Sequence, residues 1–158
     1  MTQTAAQLST TAQEAIAEAL NQAVAETVVG TKLAQNFHWN VTGMSAGSLH
    51  VLFQTIYEDH FQAEDDLAER VRALGVFAQG SLTKMLQTSK VKDYHGGHIP
   101  AEEMIRLLVA AEEQLAATLG GVASVAEQNG DLLTQDLAIE RGRVHEKFAW
   151  LLRAHIEA

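Results

Sequence analysis

Four side chains in the first half of the sequence have the types and spacing of a metal site. Asp65 and Glu69 are four residues apart, which on a helix puts both carboxylates on one face as an oxygen clamp for a divalent ion. Two imidazoles lie upstream, in Asn36-Phe37-His38-Trp39-Asn40-Val41 and Leu49-His50. The chain has no cysteine, so thiolate sites, disulfide scaffolds and cysteine nucleophiles are excluded. Any metal has to be held by His, Asp and Glu, the ligands of hard or borderline ions such as iron, manganese or zinc.

The elements that must position these groups are helical. Ala, Leu, Glu and Gln dominate, there is one proline, and apolar residues make up 47% of the 158. The first helical block starts near Thr11, with Thr11 and Glu14 spaced as a capping box, carries Ile16, Leu20, Val24 and Val28, and runs to about Val41. After a turn at Thr42-Gly43-Met44-Ser45, a second block spans about Ser45 to Leu74, with Gly75 as its stop. Residues 76–98 are irregular, with a short helix expected over Ser81–Gln87. Pro100, at a first helical position, opens a third block that ends at Asn129-Gly130, with Glu102 and Glu103 complementing its dipole. Asp131 caps a fourth, which carries Leu133, Leu137, Val144, Phe148 and Leu151. The fold class is all-α. Four long helices with one long connection between the second and third match a ferritin-like four-helix bundle. A single domain over 1–158 is expected, with residues 1–10 as a flexible tail.

Helix geometry limits how the four ligands can meet. His50 and Asp65 are fifteen residues apart on one helix, roughly 22 Å along its axis. Metal–ligand bonds are only about 2 Å long, so these two cannot share an ion within one chain. Two copies of the second helix packed antiparallel about a two-fold axis near Tyr57–His60 would bring His50 of one copy beside Asp65 and Glu69 of the other, provided the four bind metal together. An intrasubunit di-iron centre is not expected, because no Glu-x-x-His pair occurs.

The formal net charge is −9, which favours attraction of cations and disfavours nucleic acid as a partner. No stretch is long and apolar enough to span a bilayer, and Met1-Thr2-Gln3-Thr4-Ala5-Ala6 lacks the features of a signal peptide.

Several spaced motifs resemble those of the Dps family, the mini-ferritins. They are Phe37-His38-Trp39-Asn40-Val41-x-Gly43, Leu49-His50-x-x-Phe53 and Asp65-x-x-Ala68-Glu69-Arg70. Near the end, Asp131-x-x-Thr134-x-Asp136-Leu137 and His145-Glu146-Lys147-x-x-Trp150-x-Leu152-Arg153-Ala154 resemble the family's last helix. The resemblance implies a homo-oligomeric shell, a dodecamer. Iron would be oxidised by hydrogen peroxide or dioxygen at an intersubunit ferroxidase site and stored inside as ferric mineral. It assigns His38 and His50 to one subunit and Asp65 and Glu69 to its two-fold mate, with Trp39 beside the site as an electron donor or radical quencher. It places Asp131, Asp136 and Glu140 at pores through which iron enters, although Asp131 serves equally as a helix cap. The implied location is the cytoplasm, at the nucleoid or away from it. One departure stands out. Many members have an acidic residue four positions after the second histidine, and here that position is Gln54, a weaker iron ligand.

Taken singly, His60, His95, His98, His145 and His155 read as structural or surface residues, Tyr57 as interface packing, and His95-Gly96-Gly97-His98 as an exposed loop. Met44, Met85 and Met104 form no stripe suggesting haem ligation. The rival function is DNA compaction, which the family's name reflects. No Lys or Arg precedes Lys32 and the C-terminus has no basic extension, so DNA binding is expected to be weak or absent.

Overall fold

The computed structural model describes residues 3–157. Four long helices and one short one form in chain order, and no strand occurs among the described residues: α1 (Thr10–Asn40), α2 (Ala46–Ala73), α3 (Leu82–Thr88), α4 (Ala101–Gln128) and α5 (Leu132–Arg153). Their ends follow local chemistry. Ser9, rather than Thr11, caps α1 by accepting from Ala12 N–H at 3.2 Å, so the expected Thr11/Glu14 box does not form. Both α2 and α4 end in left-handed glycines. Gly75 (φ 83°) donates to Arg72 O while Val76 donates to Val71 O. Gly130 (φ 74°) and Asp131 repeat the pattern on Glu127 and Ala126. Pro100 sits one residue before α4, as its cap.

The expected N-terminal tail is partly ordered. Met1 and Thr2 lie outside the described residues, but Ala5–Gln7 make a 3-10 turn held by Gln13 Nε2 donating to Ala5 O at 2.8 Å. Leu8 is buried in the core. That single apolar anchor has no period to read, which is why the sequence suggested a loose tail.

The long connection decides the topology. Starting beside Asn21, which donates to Phe77 O, it runs outside α1 through Gln22 to Thr88, Lys90 N to Glu26, Asn36 to Tyr94, and Thr42 to His98. It therefore climbs about 30 Å parallel to α1. The chain enters α4 at the end of the bundle where α1 finishes, so α4 runs antiparallel to α1 and pairs with α5 as α1 pairs with α2. The apolar core falls into two clusters, one built on Leu20, Leu67 and Leu119 and the other on Phe37, Phe53, Leu108 and Leu152. Near their junction lies a layer of fully buried polar side chains that includes His60, Glu112 and His145.

Candidate metal centre

The α1–α2 hairpin brings His38 and His50 together. Their rings stack at 3.7 Å between centroids and 19° between planes, with Tyr57 edge-on to His38 at 5.2 Å. His38 Nδ1 lies 2.8 Å from His50 O, and His50 Nδ1 lies 2.8 Å from His38 O. A carbonyl oxygen only accepts, so each Nδ1 carries the proton and each Nε2 keeps its lone pair. Second partners of this kind fix ring orientation in histidine metal sites. Both rings retain access to solvent.

Asp65 and Glu69 project from α2 as exposed side chains. They do not meet the histidines within the chain, as the helical rise requires. Gln54 donates to Glu58 Oε1 at 2.7 Å, which holds that acidic group on the same helix. Trp39 is 63% exposed, with Lys32 Nζ 5.5 Å from its ring centroid. Glu64, half-buried nearby, is pushed up by burial, against a hydrogen bond from Thr31.

Of the three acidic residues assigned to an entry pore, Asp131 is fully buried and serves as the cap of α5. It accepts from Thr134 N–H at 3.1 Å and takes a two-pronged contact from Arg70 Nη2 at 2.9 and 3.0 Å. Its oxygens are engaged by this network, whereas Asp136 and Glu140 are both exposed. Among the remaining histidines, His95, His98 and His155 are exposed, as expected of single surface residues.

The sequence reading missed a second cluster. His60 on α2, Glu112 on α4 and His145 on α5 are fully buried and offer ligand atoms within 4.8 Å of one another. His145 Nδ1 donates to Glu112 Oε2 at 2.7 Å. Glu112 Oε1 lies 3.0 Å from His60 Nε2 but out of line, so Oε1 and both ring nitrogens of His60 have no hydrogen-bond partner. Groups orphaned in this way cost about 1–3 kcal/mol each. Burial alone would raise the Glu112 carboxyl, but the charge of His60, the hydrogen bond from His145, the close polar approach of His60 and the charge of His145 outweigh it and hold the group down at about 2. Burial pushes His145 down, with the positive charges of His60 and Arg141 adding and Glu112 opposing. Arg141 is itself held by Asp59 at 3.1 and 2.5 Å. The signal was present in the pattern. His60 falls in register with Phe53, Ile56 and Leu67, Glu112 with Leu108 and Leu115, and His145 with Ala138 and Leu152, so each occupies a core position.

Known proteins resemble this chain over most of its length. The family model described as a ferritin-like domain matches residues 17–158. A DNA protection during starvation protein of Brevibacillus brevis is 35% identical over 152 residues, covering 95% of this chain and all of the relative (100%). The crystal structure of a Dps protein from Bacillus brevis aligns with TM-score 0.90 at 33% identity, covering 95% of this chain and 100% of that one. The DPS protein of Vibrio cholerae O1, described as a member of a broad superfamily of ferritin-like diiron-carboxylate proteins, aligns with TM-score 0.91 at 28% identity, covering 99% and 98%.

Proposed function

Because the chain belongs to the ferritin-like Dps family, we propose that it takes up Fe²⁺, oxidises it at sites shared between two subunits and stores the ferric product inside a closed shell of identical subunits. The observation that carries this reading is the reciprocal clasp of His38 and His50. It leaves two Nε2 lone pairs free, and among the described residues no carboxylate joins the two histidines in a group that could hold an ion. Asp65 and Glu69 of a second copy would supply those carboxylates and complete the site.

Each side chain then has a defined task. His38 and His50 bind Fe²⁺ through nitrogen, while Asp65 and Glu69 of the second copy bind through oxygen and favour the more highly charged Fe³⁺. Hydrogen peroxide takes one electron from each of two ferrous ions together with two protons, and leaves as two waters. Trp39, close in sequence to the clasp, is placed to give up an electron or quench a stray radical. Gln54 offers a neutral carbonyl where a carboxylate would bind more strongly, so a second iron is held weakly. Asp136 and Glu140, exposed on α5, draw Fe²⁺ toward the interior.

Assembly has its own support. Tyr57, Phe61, Leu82 and Leu86, with Val28 and Lys32, line an open apolar groove between α1, α2 and α3. Phe61, Leu82 and Leu86 are exposed in the single chain, and a second copy laid along α2 would cover them. A dodecamer working in the cytoplasm is the proposed form. No helix among the described residues is long and apolar enough to cross a membrane.

The test is peroxide-dependent Fe²⁺ oxidation followed by ferric absorbance, with native mass measured in parallel. His38→Ala combined with Asp65→Ala should slow oxidation by about 100-fold while the assembly persists. Equal rates in variant and parent would remove the assigned site. DNA compaction is the rival reading. With a net charge of −9, stable complexes in a gel shift at physiological salt are not expected, and finding them would favour the rival.

A further inference from the structure

We propose that His60, Glu112 and His145 hold one divalent first-row transition ion in the middle of each subunit's bundle, as a resident site separate from the intersubunit one. The inference does not depend on the ferroxidase reading, because it rests on side chains of a single chain.

Three helices aim ligand atoms at one point in a region closed to water, and all three side chains are fully buried. Two imidazoles and a carboxylate are a donor set that suits zinc, cobalt or ferrous ions. The decisive detail is alignment. A shared proton needs N–H and O nearly in line, whereas an ion needs only that lone pairs converge. Glu112 Oε1 and His60 Nε2 approach to 3.0 Å without hydrogen-bond geometry. Adjacent ligands on an ion with bonds of about 2.1 Å are separated by roughly 3.0–3.4 Å, so the 3.0 Å spacing, which a hydrogen bond would also show, fits two ligands of one ion as well.

Charge points the same way. Arg141 lies beside the cluster, with Nη2 3.4 Å from His145 Nε2, but is paired with Asp59, so the Glu112 carboxylate is balanced within the trio by its two imidazoles, a role that an ion bound between them would take over. The fourth helix contributes space instead of a ligand. At Gly30 of α1 an added Cβ would lie 3.3 Å from His60 Nδ1, so glycine lets the ring lie against the helix. On binding, the ring proton of His145 moves from Nδ1 to Nε2, so the imidazole stays neutral and Nδ1 is free for the ion, while Arg141 gives up its 3.4 Å contact with Nε2 and stays paired with Asp59. Three ligands hold one ion, not a pair, and their full burial makes it a structural ion that exchanges slowly and does not turn over.

The test uses full-length protein carrying His38→Ala and Asp65→Ala, which removes two of the four intersubunit ligands. This protein is refolded from urea with Co²⁺, passed through gel filtration and crystallised. About one Co²⁺ per chain should remain bound, with visible absorption bands of imidazole–carboxylate coordination. An anomalous difference peak at the cobalt edge should lie between the three side chains. Adding Glu112→Gln should abolish both, with circular dichroism confirming that the helices persist. No peak at saturating Co²⁺ would overturn the inference and leave a proton-bridged ion pair. Cobalt bound elsewhere, or retained unchanged by the Glu112→Gln variant, would overturn it too. Should Glu112→Gln fail to fold, the peak in the parent crystals alone decides.

Discussion

At the residue scale, the clasp of His38 and His50 and the buried trio depend on small local choices. Gly30 is one. Alanine is favoured over glycine in a helix by about 1 kcal/mol, yet here its Cβ would press on His60 Nδ1 and on Leu115 Cδ1, each at 3.3 Å. Those neighbours are fully buried and cannot swing aside, so Gly30→Ala should lower stability by about 1–2 kcal/mol in urea unfolding. The trio also sets an acid response in chelator-treated protein. His145 is held below its ordinary value of 6.5 and Glu112 below its ordinary value of 4.5. In both cases the unfolded chain binds a proton that the folded chain refuses, so stability is full at high pH and falls as pH drops. The loss begins near 6.5 through His145 and continues below 4.5 through Glu112, until its folded value near 2 is reached. Melting temperature measured against pH should show both segments, and His145→Gln should flatten the upper one and shrink the lower one, since His145 also holds Glu112 down. Legibility at this scale was uneven. The ligands His38, His50, Asp65 and Glu69 stood out because types and spacing coincided. The trio did not, because each member is a lone polar residue in an apolar stripe, and His145 and Glu112 are 33 positions apart.

At the element scale, the sequence located the helices to within a residue or two, because apolar period and terminal chemistry agreed. The left-handed glycines are the clearest case. Replacing Gly75 (φ 83°) by Ala should cost about 1–2 kcal/mol through backbone strain alone, since no neighbour lies within 4 Å of the added Cβ. A denaturant midpoint would read that loss. The junction of α4 and α5 is more heavily secured. Asp131→Ala removes a helix cap and strips Arg70 of its carboxylate partner, leaving it only the Thr134 hydroxyl, so a loss of about 3 kcal/mol is expected, well beyond a cap alone. The start of α1 was the element least visible in advance. Its cap, Ser9, comes from a turn held by Gln13 and Leu8, and those contacts reach across positions that carry no repeating pattern.

At the scale of the whole molecule, the bundle leaves an apolar groove beside α2 that an assembled shell would cover. Phe61→Glu would set a charge there and should shift native mass from the assembled form toward smaller species, with little change in helix content by circular dichroism. The topology was legible from connection length alone, since a short loop could not carry the chain from the foot of α2 back to the head of α4. The path it takes was not, because side-chain contacts to Asn21, Gln22, Glu26, Asn36 and Thr42 guide it, and none of these has a sequence signature.

That external strap makes the subunit divisible. Nicked within the exposed residues 95–98, it would yield two helical hairpins, the first bearing His60 and the second bearing both Glu112 and His145. Neither fragment alone could bury its apolar stripe or bring the third donor to the other two, so the halves should dimerise with each other in preference to themselves. Such a pair would work as a split reporter, whose reconstitution restores the buried layer only when the two pieces meet.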